Sequence, residues 1–187
     1  MHSEATPLSG SSMRTFLSDL ARELEPKEPK HEIVLVGGAL LALHDLRQTT
    51  HDMDSITLLS AQLHEAIIAV ANRHNLRPDW LNDRAKSFTP ATLSHDQCEL
   101  IFESPSLNVF GAPFHQIFVM KLYRNDAQDF EDMVTLWPLC SFDSPLEAVD
   151  AFIAAYPHAP RDEYLSSLIT KIAEASNAAR LPQGRNP

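Results

Sequence analysis

A short apolar run that ends in two glycines constrains the fold of this chain more than any other feature. Residues 32–36 (Glu-Ile-Val-Leu-Val) lead directly into Gly37 and Gly38. The β-branched composition predicts a buried strand, and the glycines predict a turn into a short helix over Ala39–Asp45. A glycine turn that enters a helix exposes backbone N–H groups, which can bind phosphate. Taken alone, the glycines indicate no more than a turn that needs a positive φ.

Two aspartates, Asp52 and Asp54, follow about fourteen residues later, where a second strand is predicted over Met53–Leu59. Alternate residues of a strand point to the same face, so the two carboxylates converge. Hard divalent cations prefer oxygen ligands arranged in this way. Arg47 and Thr50 precede the pair and are expected to bind the nucleotide, because an arginine fork suits phosphate oxygens; the alternative is that they only cap and neutralise the turn. Together, the glycine turn and the carboxylate pair predict that the protein binds a nucleoside triphosphate and Mg²⁺.

Apolar periodicity elsewhere predicts an α/β (α+β) fold, in which a small mixed sheet is flanked by helices and followed by a helical C-terminal part. Three segments are expected: a tail and helix over 1–30, a core over 31–125 and helices with a loose tail over 126–187. The first dozen residues and the tail after Asn177 should be loosely ordered. Further strands are expected at Pro78–Leu81, Cys98–Phe102 and Leu107–Phe110, and helices at Met13–Leu24, Ala61–His74, Ile117–Tyr123, Asp129–Leu139, Pro145–Ala155 and Glu163–Ala175.

Composition restricts the partners and the compartment. The formal net charge of -10 argues against a broad duplex-binding surface, which needs clustered Lys and Arg. Cys98 and Cys140 lack zinc-site spacing and are expected to be small core residues of a reducing compartment. No secretory signal is evident, and the longest apolar stretch is too short to cross a bilayer, so we expect a cytoplasmic protein without a membrane partner.

Several short motifs, in this order, resemble the polymerase-β-like nucleotidyltransferase superfamily. More narrowly, the chain is similar to small bacterial nucleotidyltransferases related to abortive-infection and toxin–antitoxin nucleotidyltransferases. The resemblance covers roughly residues 32–139. It rests on Val36-Gly37-Gly38, Arg47-Gln48-Thr49-Thr50, Asp52-Met53-Asp54, Trp80-Leu81-Asn82-Asp83, Phe102-Glu103-Ser104-Pro105-Ser106-Leu107, Met120-Lys121-Leu122 and Asp129-Phe130-Glu131-Asp132.

The resemblance implies a metal site and a triphosphate site. Asp52 and Asp54 would bind Mg²⁺, and Gly37 and Gly38 would line the triphosphate. A third carboxylate from a neighbouring strand is expected as a metal ligand. Asp83 is the first choice for it, and Asp79, Glu99 and Glu103 compete with it.

A helical lysine and a later aspartate complete the implied site. The lysine corresponds to Lys121, which would hold triphosphate oxygens, and the aspartate to Asp129 or Asp132. Both positions return close to the lysine's helix face, so periodicity does not choose between them. Asp132 is preferred because apolar residues follow it. The chain departs from the family pattern after the first short helix, where Asp45 stands in a segment that commonly holds a glycine.

The function implied is Mg²⁺-dependent transfer of a nucleoside monophosphate from an NTP to an acceptor hydroxyl. The acceptor would be an RNA end, a protein or a small molecule, and the toxin-like relatives suggest a toxin–antitoxin component with an antitoxin partner. The alternative is a non-catalytic member of the same fold that binds a nucleotide or a partner protein.

Overall fold

The computed structural model describes residues 6–26, 28–124, 126 and 129–180, which fall into two compact units. The first unit comprises residues 1–89 and 94–113, and the second comprises residues 90–93 and 114–187. This division groups the N-terminal helix with the sheet, and it groups residues 114–125 with the C-terminal helices. The boundaries expected from the sequence were residues 30 and 125.

The first unit holds every described strand and three α-helices. In chain order these are β1 (Leu8–Ser9), α1 (Gly10–Glu23), β2 (His31–Val36), α2 (Gly37–Leu43), β3 (Thr49–Thr50), β4 (Met53–Ser55), α3 (Ala61–His74), β5 (Leu81–Asn82), β6 (Glu99–Glu103) and β7 (Leu107–Gly111). Short 3-10 turns occupy Arg84–Phe88 and His95–Gln97 between β5 and β6.

Five of these strands form one mixed sheet in the order β5-β4-β2-β7-β6. The β2–β7 and β4–β5 pairs are parallel, whereas β2–β4 and β6–β7 are antiparallel. Strand β2 lies at the centre, and residues 33–36 are at most 5% exposed, so both of its faces are covered. A centrally buried strand explains the unbroken apolar run of the sequence. The mixed sheet with flanking helices confirms the expected fold class.

The N-terminal segment is more ordered than the sequence indicated. Leu8 is 1% exposed and pairs with Thr50 in a small antiparallel ladder. Ser9 then caps α1, since its hydroxyl accepts a hydrogen bond from the backbone N–H of Ser12 at 3.2 Å. Reciprocal bonding by the Ser12 side chain completes a capping box. The expectation that the first twelve residues are loosely ordered was therefore wrong for residues 8–12, while residues 1–5 lie outside the described part.

Strand β4 is shorter than predicted because a side chain closes a turn at its end. The Ser55 hydroxyl accepts a hydrogen bond from the backbone N–H of Thr57 and donates one to the Thr57 carbonyl. Such local bonds compete with a strand ladder. The Thr57 hydroxyl then accepts from the Val34 N–H at 3.1 Å, in place of a backbone carbonyl. The regular strand thus ends just after Asp54.

The second unit is built from helices. It contains α4 (Phe114–Arg124), α5 (Asp129–Leu136), a 3-10 turn over Trp137–Leu139, α6 (Pro145–Ala155) and α7 (Leu165–Arg180). Phe118, Trp137 and Phe142 form an aromatic cluster with ring centroids 5.6–5.8 Å apart. Helix α7 continues beyond Asn177 to Arg180, and the rest of the tail lies outside the described residues. Within the described ranges, no helix has the length and apolar character to cross a membrane.

Candidate functional site

The two glycines form the turn between β2 and α2. Gly37 has φ +68°, a left-handed conformation that glycine adopts without a Cβ clash. Helix α2 begins at Gly37, and its N-cap residue, Val36, offers no side-chain cap. A Cβ placed on Gly37 would lie 3.7 Å from Oδ2 of Asp54. The structure thus places the glycines at the start of a helix and brings Gly37 next to Asp54.

Arg47 and Thr50 lie against the second glycine. A Cβ on Gly38 would be only 3.0 Å from Nη1 of Arg47 and 3.1 Å from Oγ1 of Thr50. The Arg47 guanidinium is oriented by its Nε, which donates to the Thr49 carbonyl at 2.9 Å. Arg47 is exposed and Thr50 is 8% exposed. The structure thus places the two residues expected to bind nucleotide next to the glycine turn.

The carboxylate pair lies at the start of β4. Asp54 is opposite Val36 on β2 and opposite Asn82 on β5. It is half-buried, whereas the Asp52 side chain, one residue before the strand, is 30% exposed. Neither aspartate is therefore fully buried. Oxygen donors of this kind, next to a turn that a Cβ would crowd, fit a magnesium–phosphate group.

Arg84 forms an ion pair with one of these carboxylates, that of Asp52. Its Nη2 donates to Oδ2 of Asp52 at 3.2 Å and lies 3.2 Å from Oδ2 of Asp79. Its Nε and its backbone N–H both donate to Oδ1 of Asn82 at 3.0 Å. Asn82 is only 7% exposed, so the arginine is anchored on a buried amide. The sequence reasoning missed Asn82 and Arg84. Their one signal was their position, within and just after the Trp80–Asp83 motif.

Asp83, the preferred third carboxylate, accepts a hydrogen bond from the protein backbone. Its Oδ2 accepts a hydrogen bond from the backbone N–H of Leu59 at 3.1 Å, which ties the loop after β4 to the loop after β5. Within the described ranges, no group of three or more His, Cys, Asp or Glu side chains is arranged to hold a metal ion. The structure thus brings Asp54 to the glycine turn but does not gather Asp52, Asp54 and Asp83 into one such group.

Asp79, Glu99 and Glu103, which compete with Asp83 as the third carboxylate, lie in different parts of the first unit. Asp79 makes a two-point contact with Arg77, at 3.0 and 2.8 Å. Glu99 and Glu103 lie on β6, at the sheet edge three strands from β4. A hydrogen bond from Lys30 to Glu103, at 2.8 Å, lowers the pKa of this glutamate. Asp79 is the member of this set that is linked to the carboxylate pair, because Arg84 contacts both it and Asp52.

Lys121 is the centre of a buried ion-pair group in the second unit. Its side chain is 7% exposed, and its ammonium lies 2.8 Å from Oδ1 of Asp129 and 2.7 Å from Oδ2 of Asp132. Arg124 adds two hydrogen bonds to Asp129, at 2.8 and 2.7 Å. Helix α4 ends at Arg124 and α5 begins at Asp129, so two helices rather than one supply these groups. Both aspartates that the sequence left open therefore contact the lysine.

The two cysteines show no features of a reactive thiol. Cys140 is 8% exposed, and burial raises the pKa of its thiol to about 12. Cys98 is half-buried, and desolvation also raises the pKa of its thiol. Both thiols therefore stay protonated near neutral pH, unlike catalytic thiolates.

The model of one protein family, described as a nucleotidyltransferase of unknown function (DUF6036), matches residues 15–149. This range is well over half of the 187 residues, and the chain belongs to this family. The match includes the glycine turn, the carboxylate pair and the Lys121 group. No curated protein and no solved structure matches the chain significantly.

Proposed function

We propose that this nucleotidyltransferase family member transfers a nucleoside monophosphate from an NTP to an acceptor hydroxyl with the help of Mg²⁺. The observation that carries the proposal is the contact geometry of the glycine turn: Gly37 lies against the Asp54 carboxylate, and Gly38 lies against Arg47 and Thr50. A positive φ, a carboxylate and a guanidinium at one strand-to-helix turn are what a metal-bound triphosphate would require.

In the proposed reaction, the acceptor hydroxyl loses its proton to solvent and its oxygen bonds to the α-phosphorus, while the bond from that phosphorus to the pyrophosphate oxygen breaks and pyrophosphate leaves. The protein aligns the reactants and supplies charge rather than a covalent intermediate. Asp52 and Asp54 would bind the metal, which when bound lowers the pKa of the acceptor hydroxyl and neutralises the leaving pyrophosphate. Gly37 and Gly38 would admit the triphosphate close to the backbone, and Arg47 would bind its oxygens.

Binding of triphosphate oxygens by Lys121, which the family resemblance implies, stays a prediction. An ammonium has three N–H donors, and within the described part of the chain two of them are directed at Asp129 and Asp132. One donor would then remain for a phosphate oxygen, with the aspartates fixing its direction. Asp83 is proposed as the third metal ligand through Oδ1, because its Oδ2 accepts the hydrogen bond from the Leu59 N–H.

The test is transfer of radioactivity from α-labelled NTPs to total RNA, to protein and to small molecules of a cell extract. We expect Mg²⁺-dependent labelling of one acceptor class, abolished by Asp54→Asn. Glu65→Gln is the matched control, because Glu65 is an exposed residue of α3 outside the proposed site and its substitution should leave labelling unchanged. Full labelling by Asp54→Asn would refute the metal assignment. An RNA or protein acceptor would favour the proposed toxin–antitoxin role, in which an antitoxin protein would bind this chain.

A second candidate is a non-catalytic member that binds a nucleotide or a protein. The contact of Arg84 with Asp52 favours it, since the charge of one expected metal ligand is then balanced by an arginine. NTP binding by calorimetry without transfer of label to any acceptor class would support this candidate over the enzyme.

A further inference from the structure

We propose that Arg84 is a positioning residue that holds the Asp52 carboxylate until a divalent metal ion displaces it. The inference rests on the proposed function, because it takes Asp52 as a metal ligand. It adds a residue that the sequence motifs did not contain. In this view Asp52 exchanges a guanidinium for a metal ion when the site is loaded.

Asn82 determines where the guanidinium can reach. Both Nε and the backbone N–H of Arg84 donate to Oδ1 of this buried amide, at 3.0 Å. The Asn82 amide nitrogen is itself directed at the Met53 carbonyl, at 3.4 Å, beside the carboxylate pair. With Nε fixed, the outer nitrogen Nη2 is directed at Asp52. The arginine is therefore held in place by the fold, independently of the carboxylate that it neutralises.

The contact of Arg84 with Asp52 is longer than the two bonds of Arg84 to Asn82. It is a single contact of 3.2 Å, and the Arg84 side chain is 56% exposed. The neighbouring Arg77–Asp79 pair, by contrast, has two contacts at 3.0 and 2.8 Å. Exposed single contacts between ions change binding equilibria only a few-fold. A divalent ion, with twice the charge and a second ligand in Asp54, should therefore displace Arg84 readily.

Asp79 lowers the free-energy cost of the displacement. The same Nη2 lies 3.2 Å from Oδ2 of Asp79, as far as it lies from Asp52. When Asp52 turns to a metal ion, the guanidinium keeps Asn82 and Asp79 as partners. No charge is left unpaired by the exchange. Because Asp52 and Asp79 both contact the guanidinium, Asp52 can move to a metal ion while Asp79 stays paired with Arg84.

The test is titration of the nucleotide-free protein with Mn²⁺, followed by calorimetry. Arg84→Gln should tighten Mn²⁺ binding about two- to fivefold, because the ion no longer competes with a guanidinium for Asp52. Arg77→Gln is the matched control: it removes the same charge nearby, but the contacts of Arg77 are to Asp79. It should change Mn²⁺ affinity less than about 1.5-fold, since screened charge alone has a small effect.

The outcomes separate this inference from the proposed function. Equal Mn²⁺ affinities for Arg84→Gln and Arg77→Gln, or weaker binding by Arg84→Gln, would overturn the role of Arg84 while leaving the metal site intact. Binding that Asp54→Asn does not weaken, or no Mn²⁺ binding by the unaltered protein, would overturn the metal site itself and the exchange with it. Circular dichroism of each variant verifies that the fold is unchanged.

Discussion

Lys121→Met removes a buried ammonium from between two carboxylates and keeps a linear apolar side chain. The side chains involved are 7% exposed for Lys121, 2% for Asp129 and 14% for Asp132. Each charge-assisted hydrogen bond contributes about 1.5–3 kcal/mol, and breaking a buried ion pair costs about 3–5 kcal/mol. Arg124 still binds Asp129 in the variant, which places the loss at the lower end. We expect the free energy of unfolding to fall by about 3 kcal/mol.

The assay is urea unfolding followed by tryptophan fluorescence and far-UV circular dichroism. Trp137 lies in the same unit as Lys121 and Trp80 lies in the other unit, so the emission reports unfolding of both units. Thermal unfolding should show a fall in Tm of about 6–12 °C, at about 2–4 °C for each kcal/mol in a chain of this size. Nucleotide binding, measured well below that Tm, shows separately whether the proposed phosphate contact of Lys121 is lost as well.

Arg124→Gln is the matched control for this substitution. It removes the other cationic partner of Asp129, but the Arg124 side chain is 59% exposed and its charge is largely hydrated. We expect a loss of about 1 kcal/mol. A Lys121→Met loss below about 1 kcal/mol, or one no larger than that of Arg124→Gln, would refute the view that the buried group stabilises the second unit.

Three further substitutions test the first unit. Asp45 has a left-handed φ of 59° just after α2, where the Leu46 N–H donates to the Leu41 carbonyl. Asp45→Gly should therefore raise the free energy of unfolding, measured in urea, by about 0.5 kcal/mol; a loss of stability would contradict this. Gly38→Ala should keep the fold but weaken NTP binding in calorimetry several-fold, because its methyl group would press on Arg47; unchanged affinity would argue against a phosphate at the turn. A hydrogen bond from His74 lowers the pKa of Asp19 in the folded protein. The ionised Asp19 therefore stabilises the fold at pH values above its unfolded-state pKa, and this stabilisation is lost as the pH falls through the lowered folded-state pKa. Asp19→Asn should therefore cost about 1–2 kcal/mol at pH 7 and flatten the loss of stability below about pH 4; an unaltered pH profile of unfolding would count against the linkage.

Local patterns determined most of the secondary structure. Helices α3 and α6 have the bounds that periodicity predicted, because Ser60 and Ser144 cap them from within the adjacent sequence. The order of the elements and the mixed sheet also followed from alternating strand and helix signals. Residues 8–12 were misjudged, since Leu8 is ordered by pairing with the distant Thr50, which no local window contains.

The amino-acid sequence by itself determined the glycine turn, the position of the carboxylate pair and membership of a nucleotidyltransferase family, because each follows from short motifs at fixed spacing. Only the tertiary structure decided what those carboxylates contact. Arg84 reaches Asp52 across 32 positions, and Asp83 turns to the Leu59 N–H rather than joining Asp54. Both bonds depend on the parallel pairing of β4 with β5, which places Asn82 beside Asp54. Strand register is a property of the assembled sheet, and the spacing of residues along the chain does not contain it.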